Sequence, residues 1–88
     1  MARYRVFIKP SAVKELEAVS PLRDRRRIAR RIQALGDDPR PPGCEKLSGQ
    51  TTYRVRQGDH RIVYAVDDAG RAVLVVKVGH RRDLYRRR

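Results

Sequence analysis

The sequence predicts an α+β domain: two N-terminal helices packed on a curved, mainly antiparallel sheet, in the order β-α-α-β-β-β. Three observations predict it. A short alternating run opens the chain at residues 3–8. Two stretches of helical periodicity follow, at 12–19 and about 21–35. Three strand-like runs close it, separated by short turns at 57–59 and 67–70. Strands joined by such short turns pair antiparallel, and helices that precede them cover one sheet face. At 88 residues the chain is too short for two ordinary domains, so 1–88 is read as one.

The elements follow in order. In RYRVFI, Tyr4, Val6 and Ile8 alternate onto one face, and Pro10 ends the strand. Ser11 is placed to cap a helix from Ala12 to Val19, with Glu15 and Glu17 near its start. Ser20-Pro21 restarts the helical signal, serine as cap and proline at the first helical position. The second helix sets Leu22, Ile28, Ala29, Ile32 and Leu35 on one stripe, with Arg23, Arg26, Arg27 and Arg30 away from it. Gly36 ends it. Residues 36–50 read as loop, because Pro39, Pro41 and Pro42 break regular structure. Thr51 to Arg56 alternates as a strand, and His60 to Val66 returns after Gln57-Gly58-Asp59. The last strand, Ala72 to Gly79, is apolar at successive positions, which predicts a central strand. Leu74, Val76 and Val78 are assigned to one face, Lys77, Gly79 and Arg81 to the other.

Charge narrows the function. Lys and Arg total 22 against 10 Asp and Glu, a formal +12. That excess costs stability through self-repulsion, so it points to a polyanionic partner. The bias is towards arginine, with lysine only at 9, 14, 46 and 77. Arginine's planar fork grips phosphate through two parallel hydrogen bonds. The single cysteine, Cys44, excludes an intrachain disulfide and a cysteine zinc cluster. No Asp/Glu/His set has metal-ligand spacing and no glycine-rich phosphate loop occurs, so no cofactor is expected. The N-terminus lacks the apolar core of a signal peptide and no run is long enough to span a membrane. The cytoplasm is therefore the expected location, with no membrane partner.

The hairpin is the informative segment. Alternation puts Tyr53 and Val55 on the helix-covered face and Arg54 and Arg56 on the open one. A two-residue loop at Gly58-Asp59 pairs Gln57 with His60, Arg56 with Arg61, and Arg54 with Val63. Tyr53, Val55, Ile62 and Tyr64 then form the core side. Like charges directly opposite destabilise a sheet, so folding alone does not account for Arg56 beside Arg61. A three-residue loop would instead move Arg61 to the other face. Arg81 at the end of the last strand would join the basic face, with His80 beside it.

Four strings, KPSAVKEL, KLSG, YRVRQGDHRIVYAV and VGHRRDLY, together resemble the RelE/ParE superfamily of bacterial toxin–antitoxin toxins. The resemblance covers nearly the whole chain, and the last two strings carry it jointly. It implies a RelE-like fold and an endoribonuclease that enters the ribosome and cuts mRNA without a metal. The ribose 2′-OH attacks the adjacent phosphate, leaving a 2′,3′-cyclic phosphate and a 5′-OH. The family's basic site residues fall on Arg54, Arg56, Arg61 and Arg81, and its C-terminal aromatic on Tyr85. Lys77, Arg82 and Arg86 would add RNA contacts. RelE proper has lysines where this chain has Arg54 and Arg56, one of them the general base. Arginine hardly deprotonates, so Arg56 becomes an electrostatic clamp. The base is left to Tyr85, His80 or water, and Arg81 or His80 would protonate the leaving oxygen. An acidic, partly disordered antitoxin encoded next to this chain is the implied partner, with operator DNA bound only by the pair. The alternatives are a ParE-like gyrase inhibitor without nuclease activity and a non-catalytic RNA-binding module.

Overall fold

A computed structural model describes residues 3–47 and 51–80. Its elements are β1 (Arg5–Ile8), α1 (Pro10–Glu17), α2 (Leu22–Ala34), β2 (Glu45–Lys46), β3 (Thr52–Gln57), β4 (His60–Asp67) and β5 (Ala72–His80). The strands form one sheet in the order β1-β5-β4-β3-β2. β1 runs parallel to β5, and the other pairs are antiparallel. The expected class and helix order hold. Among the described residues no helix is long and apolar enough to cross a membrane.

Both helices start where prolines set them. Pro10 is the first residue of α1, with extended Lys9 before it, so Ser11 lies inside the helix and does not cap it. Proline's fixed φ and missing N–H suit that first position, where no intrahelical donor is needed. Pro21 sits one position earlier than expected, as the N-cap of α2, and its carbonyl accepts from the Asp24 and Arg25 amides. Ile28, Ile32 and Leu35 bury the stripe, whereas Leu22 at the helix start remains half-exposed.

The loop after α2 is held from below. Gly36 accepts from the Arg3 and Tyr4 amides through its carbonyl. A Cβ there would stand 3.0 Å from the Tyr4 carbonyl oxygen and 3.1 Å from Val6 Cγ2, so this close approach requires glycine. The stretch expected to be wholly loop contains β2, whose Glu45 and Lys46 pair with Arg54 and Tyr53. Two residues are too few to show a period, which hides such a strand in sequence.

The β3–β4 hairpin has the two-residue register: Gln57 opposite His60, Arg56 opposite Arg61, Arg54 opposite Val63. Gly58 takes φ +62°, the left-handed conformation that a tight turn needs and glycine adopts without cost. Tyr53, Val55, Ile62 and Tyr64 are buried beneath the helices. The Tyr53 and Tyr64 rings stack with centroids 5.9 Å apart.

β5 is interior, between β1 and β4, but its faces differ from the sequence assignment. Val63 pairs with Lys77 and Tyr64 with Val75, so Val76 is an extra residue, a β-bulge. The bulge resets the alternation. Val73, Val75 and Val78 are the buried set, and Leu74 lies on the open face with Phe7 beside it, both substantially exposed.

Candidate nucleic-acid interface

The hairpin register builds the basic face. Arg56 lies opposite Arg61, and Arg61 in turn lies opposite Gly79 of β5. Gly79 places no side chain beside Arg61. The next row on the same face holds Arg54, Val63 and Lys77. Arg61 is only 8% exposed, and its buried Nη1 has no hydrogen-bond partner. A buried guanidinium N–H left without an acceptor costs about 1–3 kcal/mol. Such a group is stabilised when an anion arrives.

That anion has a place. A cavity of about 420 Å³ is lined by Arg31, Gly43, Glu45, Arg54, Arg56 and Arg61. Four guanidiniums therefore meet one carboxylate. Arg54 donates through Nε (3.1 Å) and Nη2 to Glu45 Oε1. These hydrogen bonds and Arg54's charge, with smaller help from Arg56 and Arg61, hold the Glu45 carboxyl below its usual range. Glu45 thus stays an anion and engages one arginine, leaving the others to a ligand.

Arg31 and Glu45 were not singled out in the sequence. Arg31 carried a signal: it lies three residues after Ile28 and four before Leu35, on the apolar stripe itself. A charged residue on that stripe needs a reason. Its Nε is also buried without a partner. Glu45 carried none, since its role depends on β2 pairing with β3.

The loop bearing Gly43 is tied down beside this cavity. Arg40 donates from Nε to the Tyr53 hydroxyl (2.9 Å) and from Nη1 and Nη2 to the Asp68 carboxylate (3.2 and 2.7 Å). The Tyr4 hydroxyl donates to the same carboxylate at 2.6 Å. Hydrogen bonds from Arg40 and Tyr4 hold the Asp68 carboxyl below its usual range. Tyr64 donates to the Pro39 carbonyl at 2.7 Å. Burial pushes the Tyr64 phenol up, so it stays protonated and structural.

Two other sequence candidates are placed elsewhere. His80 pairs with His60 on the side of Ile62 and Val78, beneath the helices, and not with the arginines. The two imidazoles meet edge to face with centroids 5.1 Å apart. His80 follows Gly79, the partner of Arg61, and so faces the other way, because successive strand residues point to opposite faces. Lys77 starts on the arginine face, but its Nζ donates to Glu15 Oε2 (3.0 Å). Glu15 Oε1 accepts from the Val78 amide (2.8 Å). Glu15 thereby caps the β5 edge beyond the end of β1, a task unlike the helix-start role expected of it. Arg81, Arg82, Tyr85 and Arg86 lie outside the described residues. Among the described residues no group of three His, Cys, Asp or Glu side chains is placed to hold a metal ion.

Comparison with known proteins agrees with this geometry. Residues 6–85 match the family described as "ParE toxin of type II toxin-antitoxin system, parDE". Toxin RelG of Mycobacterium tuberculosis is 42% identical over 46 residues, 52% of this chain and 51% of that protein. The aligned stretch thus spans about half of that curated relative. Among solved structures, the archaeal RelE–RelB complex from Pyrococcus horikoshii OT3 superposes with a TM-score of 0.77 at 28% identity, covering 90% of this chain and 96% of that one. An E. coli RelE toxin bearing two arginine-to-alanine substitutions, in the free state, gives 0.75 at 26% identity, covering 94% and 87%. With nearly the whole chain matched and the same two-helix, five-stranded architecture beneath it, this protein belongs to the ParE toxin family of type II toxin–antitoxin systems, within the RelE/ParE superfamily.

Proposed function

We propose that this toxin is an endoribonuclease that cuts mRNA on the ribosome by 2′-OH attack. The observation that carries the reading is Arg61: buried, unpartnered at Nη1, and opposite Arg56 in a cavity of arginines. Fixed cations at that spot stabilise charge as it builds on a phosphate. The O2′–P bond forms and the P–O5′ bond breaks, giving a 2′,3′-cyclic phosphate and a 5′-OH. The 2′-OH proton goes to a base and O5′ takes up a proton. Arg56 is a poor base because guanidinium keeps its proton. With the His80 ring on the helix side, Tyr85 or water is the better base, and Arg81 the second phosphate ligand. The partner is a cognate antitoxin, as in the RelE–RelB complex from Pyrococcus horikoshii that this fold resembles. An acidic segment would neutralise the same arginines. The setting is the cytoplasm, and operator DNA is bound through the pair.

The family description favours one second reading, a gyrase inhibitor that binds a topoisomerase and cuts nothing. Primer-extension mapping of mRNA ends after induction separates them. New 5′ ends within translated codons are expected. Intact mRNA with SOS induction would replace the nuclease reading by the gyrase one.

A further inference from the structure

We infer that Arg31, on helix α2, forms a second phosphate subsite, holding the phosphate next to the one bound by Arg56 and Arg61. The inference rests on the RNA reading above and extends it to a residue outside the hairpin.

Three observations converge. Arg31 lines the same cavity as the hairpin arginines although it comes from the helical layer. Its Nε is buried with no hydrogen-bond partner, as is Arg61 Nη1. The cavity's carboxylate, Glu45, is bonded to Arg54 and leaves Arg31 without an acid. Burying two orphan guanidinium donors around one space of about 420 Å³ is unfavourable in the free protein. A single phosphodiester carries one charge and cannot serve all the free forks at once. Two successive phosphates of one strand can. Gly43 at the rim has open space where a Cβ would sit, so no neighbouring atom crowds the cavity at that point. The ligand class is therefore a single-stranded RNA backbone of at least two phosphates, engaged without regard to base.

The test is binding of a fluorescent 2′-O-methyl octaribonucleotide, which lacks the attacking hydroxyl, by anisotropy across a salt series. Arg31→Met keeps the apolar stem and removes the charge. It is expected to bind about tenfold more weakly at low salt. The slope of log K against log salt should become shallower by roughly 0.7, one phosphate contact. Arg31→Lys should keep the wild-type slope. Without RNA, Arg31→Met should melt no lower than wild type. Wild-type affinity and slope in Arg31→Met, while Arg61→Ala loses binding, would overturn the subsite and leave the nuclease reading standing. A lowered melting temperature with an unchanged slope would make Arg31 structural, and so also overturn it. If Arg61→Ala binds as well as wild type, the RNA reading itself fails.

Discussion

Arg56 and Arg61 stand directly opposite each other across the β3–β4 hairpin, and Arg61 is buried there. Two guanidiniums at cross-strand distance repel, so the pair costs stability until an anion bridges it. Replacing Arg61 by Met is expected to stabilise the free protein by about 0.5–2 kcal/mol. The same change should lower cleavage by about 10²–10³-fold. Thermal denaturation and single-turnover cleavage of ribosome-bound mRNA measure the two. A variant that melts lower than wild type would show that Arg61 contributes to the fold itself.

Glu45 engages Arg54, one of the arginines proposed to meet RNA phosphate. Glu45→Gln removes the negative charge and frees that arginine. RNA affinity should rise about two- to fivefold at low salt, and the gain should shrink above ~0.3 M salt as exposed charges are screened. Anisotropy titrations at two salt concentrations check both statements.

Asp68 gives the protein an acid-sensitive tie. Its folded carboxyl lies below the ordinary value of 3.8, chiefly through hydrogen bonds from Arg40 and Tyr4. A depressed folded value means the contribution is complete above about pH 4 and is lost as pH falls through the folded value. Asp68→Asn should lower stability at neutral pH and flatten the fall in melting temperature below pH 4. An equally steep acid limb in the variant would place the acid-sensitive contact elsewhere.

Glu15 covers the β5 edge by accepting from the Val78 amide and pairing with Lys77. Glu15→Ala leaves that amide uncapped and should cost about 1 kcal/mol. For a domain this size that is about 4–8 °C in melting temperature. Glu15→Gln keeps an acceptor oxygen and should recover most of it. Light scattering should also show more self-association of the alanine variant, since an open strand edge pairs with other chains.

Much of this was legible in the residues themselves. Gly58-Asp59 between two alternating runs suggested the two-residue hairpin register that the structure adopts, with Arg54, Arg56 and Arg61 on the open face, although a three-residue loop was equally open to the sequence. Ile28, Ile32 and Leu35 marked the buried side of α2, and the arginine excess foreshadowed a cavity lined by Arg54, Arg56 and Arg61. Those features depend on local periodicity and turn geometry, which short stretches of chain encode. Tertiary structure decided the rest. Ala72 to Val76 is apolar at every position and so has no parity, and only pairing with β4 placed the bulge at Val76. Glu45 and Arg31 joined the cavity through β2 pairing and the meeting of α2 with the sheet, contacts between residues far apart in sequence. Lys77 and His80 left the arginine cluster for the same reason: their side chains answer to Glu15 and His60, whose positions no local pattern specifies.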